Sequence, residues 1–294
     1  VTESPTQRVL TQPALADLAE TPAVSRWVRS GSTRLHLLDH GPADGVPLLI
    51  VPGITSPAIA MDFVARELTD LVPAPGSGSA PLRVRPIVLD VRGRGLSDNG
   101  DTYDLDAYAG DVAAVVDGLG LDRPIVLGHS MGARITAVAA TRLDLRGTVL
   151  VDPPMSGPGR GPYPTTLEAF LGQLDQARRG TDADEVAASW PRWARREQEL
   201  RARWLGSISR DAIVATHEGF ESEDFFATWP SVPAPTVLIH GGDSPVVTAA
   251  GAEEAAKANP DASVVEVPGT GHMVFWDDPE AAMSATRDAL RTML

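Results

Sequence analysis

The chain has 294 residues, 43% of them hydrophobic and 22% charged, with a formal net charge of −14. That length carries one large α/β domain, and no apolar run approaches the roughly 18 to 20 residues that a membrane span needs. The acid excess argues against nucleic acid and anionic membrane surfaces as partners, and the absence of cysteine removes disulfides, thiol nucleophiles and Cys-ligated metals.

Residues 1–23 read as a polar, Pro-rich N-terminal extension. They lack the basic start and apolar stretch of a secretion signal, so a cytoplasmic location is the expectation. Residues 25–29 and 34–38 read as paired strands, and Leu48-Leu49-Ile50-Val51 as a buried strand ending at Pro52-Gly53. The spacing of Phe63, Leu68 and Leu71 predicts a helix over 59–71. Residues 73–81 have linker composition and read as a flexible surface insertion. Strands at 85–90, 125–128 and 148–151 then alternate with helices at 105–119 and 131–142, the pattern of a mainly parallel sheet with right-handed crossovers. Between Pro153 and Pro235 the alternation breaks into a Trp- and Arg-rich stretch. Trp190, Trp193, Trp204 and Trp229 lie there, and residues 155–231 read as a helical cap inserted after the sixth strand. The core is then 24–154 and 232–294, where the pattern resumes with strand 236–240, helix 249–258, strand 263–267 and helix 279–293.

The chemistry concentrates where the fifth predicted strand ends. Pro124-Ile125-Val126-Leu127 runs into Gly128-His129-Ser130-Met131-Gly132, and a helix follows. A serine exposed on a sharp strand-to-helix turn needs glycine on both sides, because the backbone there is crowded and strained. The turn also sets the Met131 amide at a helix N-terminus, where it can donate to a developing oxyanion. Ser130 is therefore the candidate nucleophile. The six histidines (36, 40, 129, 217, 240, 272) show no metal-binding spacing.

From about residue 24 to 294 these features resemble the α/β-hydrolase family, which implies a Ser-acid-His chain order. In that frame Val51-Pro52-Gly53-Ile54-Thr55 stands at the loop supplying the second oxyanion donor, the Ile54 amide. His272, in Pro268-Gly269-Thr270-Gly271-His272-Met273, lies on the turn after the last strand, where the base belongs; His240 ends a strand and His217 sits in the cap. The acid is contested. In most relatives it stands three residues after a glycine that follows the seventh strand, and here that count from Gly241 lands on Ser244. Asp152, at the end of the sixth strand, is preferred, with Asp243 as the alternative. The loop from Asp90 to Ser97 matches a common turn of the fold and reads as structural.

Within the family, the block from Val151 to Pro164, with echoes at Arg201-Ala202-Arg203-Trp204-Leu205 and Gly271-His272-Met273-Val274-Phe275-Trp276, is similar to N-formylmaleamate deformylase and related amidohydrolases. The resemblance implies acyl transfer through Ser130, His272 and Asp152, with Met131 and Ile54 holding the oxyanion and no cofactor needed. It implies a small-molecule substrate bearing carboxylate, for which the cap offers Arg160, Arg192, Arg195, Arg196, Arg201 and Arg203; Arg160 is the first choice because it closely follows Asp152. A carboxylesterase, lactonase or C–C bond hydrolase would use the same triad, and a ligand receptor on a hydrolase scaffold is the reading from another class. Dehalogenases and soluble epoxide hydrolases need aspartate where Ser130 stands.

Overall fold

The computed structural model describes residues 8–71 and 82–294. The predicted insertion at 73–81 lies outside the described residues.

Eight strands carry the fold: β1 (Val24–Ser30), β2 (Thr33–Asp39), β3 (Val46–Val51), β4 (Leu82–Leu89), β5 (Ile125–His129), β6 (Gly147–Val151), β7 (Thr236–Gly241) and β8 (Ser263–Val267). Their spatial order is β1-β2-β4-β3-β5-β6-β7-β8. The β1–β2 and β2–β4 pairs are antiparallel, and every later pair is parallel. Parallel strands covered on both faces carry unbroken apolar runs, and side chains of period two then sort to opposite faces. Leu49, Val51, Val126 and Leu150 pack on one face with Tyr108, Val112 and Ile135. Leu48, Ile50, Ile125, Leu127 and Val149 pack on the other with Val64, Ala282 and Leu290. The helices supplying those partners are α2 (Asp62–Glu67), α3 (Leu105–Leu119), α4 (Met131–Ala140) and α12 (Pro279–Arg291). The start of α3 is fixed by Asp104, whose side chain accepts from the Ala107 amide, and its end by Gly120 at φ 59°. A cap of that kind contributes about 1 kcal/mol.

The predicted helix at 59–71 is shorter than its apolar spacing suggests. A 3-10 turn at Ala58–Met61 leads into α2, which stops so that the two-residue strand Asp70–Leu71 can pair with the start of β4. The N-terminal extension also holds structure. Thr11 caps α1 (Gln12–Glu20), and Asp17 on that helix accepts from Arg203 at 2.7 Å and from the Trp204 indole at 3.1 Å.

Between β6 and β7 lie α5 (Leu167–Arg179), α6 (Ala183–Ser189), α7 (Arg195–Trp204), α8 (Arg210–Ser222) and α9 (Phe225–Thr228). Their tryptophans tie them to the core. Trp193 stacks on Trp276 with ring centroids 5.4 Å apart, and the Trp229 indole donates to the Ala255 carbonyl at 2.8 Å. Trp276 stands on α11 (Val274–Asp277) and Ala255 on α10 (Ala249–Ala258). No helix among the described residues is long and apolar enough to cross a membrane.

Candidate active site

Ser130 joins β5 to α4 at φ 55° and ψ −120°. That backbone is strained for any side chain, and it persists because the flanking residues leave no alternative. A Cβ at Gly128 would collide with the Gly132 carbonyl oxygen, and one at Gly132 with that of Val51. The Ser130 amide donates to the Val151 carbonyl at 2.8 Å, which pins the turn to the end of β6. The Gly-x-Ser-x-Gly spacing thus answers to two close backbone approaches.

His272 reaches this serine from the turn after β8. Its Nε2 lies 2.9 Å from Ser130 Oγ and its Nδ1 lies 2.7 Å from Asp152 Oδ2. Asp152 is fully buried at φ 50°. A buried carboxylate is tolerable only when its oxygens are hydrogen-bonded. Here Oδ1 accepts from the Gly241 amide at 3.0 Å, while Oδ2 accepts from Ser244 Oγ at 2.6 Å and from His272. With Nδ1–H donating to Asp152, Nε2 is left to accept the Ser130 hydroxyl proton. Asp243 is exposed, and its amide donates to the Thr270 carbonyl at 2.9 Å. The structure therefore brings Asp152, not Asp243, to the imidazole. Ser244, at the usual acid position, spends its hydroxyl on holding Asp152, while the amides of Val246 and Val247 donate to it at 3.1 and 3.3 Å.

The loop after β3 completes the surroundings. A Cβ on Gly53 would stand 3.3 Å from Ser130 Cβ, so the backbone leading to Ile54 passes directly beside the serine. The Ile54 carbonyl accepts from buried Arg94 at 3.2 Å, and Arg94 is held in turn by Tyr108 at 2.7 Å and Thr216 at 3.0 Å. The loop from Asp90 to Ser97 thereby anchors the Ile54–Thr55 peptide, a role its turn-like sequence does not suggest.

Ser130, His272, Ile54 and Gly53 line a cavity of about 190 Å³ with Tyr163, Phe170, Trp190, Trp193, Gln173 and Arg201. Among the described residues no Asp or Glu lines it, and Arg201 is its one arginine. Arg201 donates to the Thr55 carbonyl and hydroxyl, each at 2.9 Å, and to Gln173 Oε1 at 2.8 Å. Burial lowers its pKa to about 10, which leaves it cationic at neutral pH. The five other arginines that the sequence offered as substrate anchors are paired. Arg160 pairs with Glu254 at 2.7 Å and lies over the Phe226 ring at 4.0 Å, outside the cavity. Arg192 pairs with Asp277, Arg195 with Asp184, Arg196 with Asp62 and Arg203 with Asp17. The expectation that Arg160 faces substrate is thus replaced: proximity to Asp152 in sequence does not offset a salt bridge to α10.

Three other histidines hold backbone carbonyls. His217 Nε2 donates to the Thr165 carbonyl at 2.9 Å, and His240 Nδ1 lies 3.1 Å from the Gly241 carbonyl. His129 Nε2 donates to the His272 carbonyl at 3.0 Å. Burial, reinforced by nearby His272, lowers the His129 pKa to about 3 from an ordinary 6.5. Because protonation then favours the unfolded chain, its contribution to stability is complete above pH 6.5 and is lost as pH falls toward 3. Urea midpoints measured across that window should decline less steeply for His129→Gln than for the parent; parallel declines would refute the assignment. Among the described residues no three His, Asp or Glu side chains converge as metal ligands would.

The alpha/beta hydrolase family model matches residues 48–286 of the chain. The chain is 39% identical to N-formylmaleamate deformylase of Pseudomonas putida over 267 residues, covering 90% of this chain and 95% of that protein. It is 29% identical to 2-(acetamidomethylene)succinate hydrolase of Mesorhizobium japonicum, covering 92% and 96%. A crystal structure of N-formylmaleamic acid deformylase from Pseudomonas putida superposes with a TM-score of 0.80 at 34% identity, covering 90% of this chain and 100% of that one.

Proposed function

The chain belongs to the alpha/beta hydrolase family, and we propose that this hydrolase cleaves the amide C–N bond of a small N-formyl or N-acyl amide bearing a carboxylate, as N-formylmaleamate does. His272 takes the Ser130 proton as Oγ attacks the formyl carbon, and Asp152 orients the imidazole and supports its charge. The amides of Met131 and Ile54 hold the oxyanion. His272 then protonates the leaving nitrogen and activates water, which releases formate and regenerates Ser130. These steps call for no cofactor. Residues 155–231 act as a cap that walls the cavity with Phe170, Gln173, Trp190, Trp193 and Arg201.

One observation carries the substrate class: among the described residues Arg201 is a cation without a carboxylate partner, lining the cavity that holds Ser130. A buried charge without a counter-ion is costly, and an anionic ligand offsets that cost. An apolar ester would leave it uncompensated. The direct test is to incubate the enzyme with N-formylmaleamate and assay formate. Steady release supports the reading; none, with brisk hydrolysis of p-nitrophenyl esters, contradicts it.

Arg201 gives a second check. Arg201→Met is expected to lower kcat/KM on the anionic amide by about 100-fold or more, since losing a buried charged pair costs roughly 2–5 kcal/mol. Neutral p-nitrophenyl acetate should be far less affected. An equal loss on both substrates would point to a collapsed cavity instead.

A further inference from the structure

The triad and the two oxyanion amides suffice for cleaving an ester, yet one more polar group stands at the reacting atoms. Tyr163 lies in the loop between β6 and α5, is 4% exposed and lines the cavity. Its hydroxyl is 3.3 Å from His272 Nε2 and also reaches Ser130. The ring is fixed by Phe220 at 4.7 Å, Phe170 at 6.1 Å and His217 at 6.0 Å between centroids, so the hydroxyl cannot swing away without unpacking that cluster. Acyl transfer through Ser130, His272 and Asp152 leaves it without a part.

An amide differs from an ester at this point in one chemical respect. After attack, the leaving nitrogen is no longer conjugated with the attacked carbon, and it takes the His272 Nε2 proton as the C–N bond breaks. Its own N–H then needs an acceptor. An ester oxygen carries no hydrogen and has a second lone pair, so it makes no such demand. A nitrogen accepting from Nε2 sits about 3 Å from it. The Tyr163 oxygen lies 3.3 Å from the same Nε2 and lines the same cavity, which sets both groups around one atom. The phenol can accept through a lone pair while its own proton points to Ser130 Oγ.

We propose that the Tyr163 hydroxyl accepts the scissile N–H hydrogen bond in the tetrahedral intermediate and so fits this serine hydrolase to amides. The inference rests on the amide reading above and adds the residue that selects for it. No new covalent step is involved: the proton still passes from Ser130 through His272 to the leaving nitrogen, and the C–N electron pair leaves with that nitrogen.

Tyr163→Phe keeps the ring and removes only the hydroxyl. On N-formylmaleamate, its kcat is expected to fall about 100-fold with KM little changed, the scale of one lost transition-state hydrogen bond. On p-nitrophenyl acetate the loss should stay within about threefold, because the oxyanion and the base are untouched. Equal losses on both would overturn the inference, since an oxyanion donor or a packing role serves ester and amide alike. Undiminished formate release would overturn it too. Parent enzyme that cleaves the ester but no amide would instead defeat the substrate reading, and this inference with it.

Discussion

Ser130→Ala is expected to lower kcat by about 10⁶, while leaving the fold and ligand binding intact. The substitution deletes one oxygen from a residue 2% exposed, and alanine meets the φ of 55° with no more strain than serine. The Met131 and Ile54 amides and Arg201 stay in place, so the variant should still bind the anionic amide at near-parent affinity by calorimetry. What disappears is the atom 2.9 Å from His272 Nε2, and with it the covalent route. Turnover within tenfold of the parent would mean that the imidazole activates water directly and that no acyl-enzyme forms.

Asp152→Asn is expected to cost about 10⁴ in kcat, because an amide facing Nδ1 favours the wrong imidazole tautomer. The backbone should survive the change, since asparagine tolerates the left-handed φ of 50° and can still accept from the Gly241 amide. Asp243→Asn should stay within about threefold of the parent, as an exposed carboxylate away from the imidazole carries no such role. The assignment fails if only the Asp243 variant loses activity by several powers of ten. Ser244→Ala should show an intermediate loss, because it frees one oxygen of Asp152 without changing the tautomer that His272 adopts.

The sheet was legible because parallel strands buried on both faces leave unbroken apolar runs, as Leu48 to Val51 and Ile125 to Leu127 do. Ser130 was legible because its turn can be built only with glycines at 128 and 132, so the constraint is written locally. The acid was half legible. Counting three from Gly241 reaches Ser244, and its hydroxyl proves to be the partner of the displaced carboxylate rather than a gap.

What stayed hidden depends on pairings across long sequence separations. The six candidate arginines between β6 and β7 look alike in sequence, and only their partners tell them apart. Arg160 meets Glu254 across 94 residues, Arg196 meets Asp62 across 134, and Arg203 meets Asp17 across 186. Arg201 is singled out by what it lacks, which no local spacing records. Tyr163 sits in a Pro- and Gly-rich loop with no periodicity, and its place beside His272, 109 residues away, is a product of the fold alone. The docking of α1 through Asp17 was hidden for the same reason, although Thr11 and Pro13 form a start signal for that helix.

The proposed function requires that one serine, Ser130, form the covalent intermediate in a cavity keyed to an anionic amide. Treating the protein with a serine-reactive phosphonate and locating the added mass by peptide mapping tests it most directly. A single adduct on the peptide containing Ser130, accumulating in step with the loss of formate release and slowed by N-formylmaleamate, is the predicted result. Full activity in protein carrying that adduct, or inactivation with the adduct on another residue, would rule out Ser130 as the nucleophile.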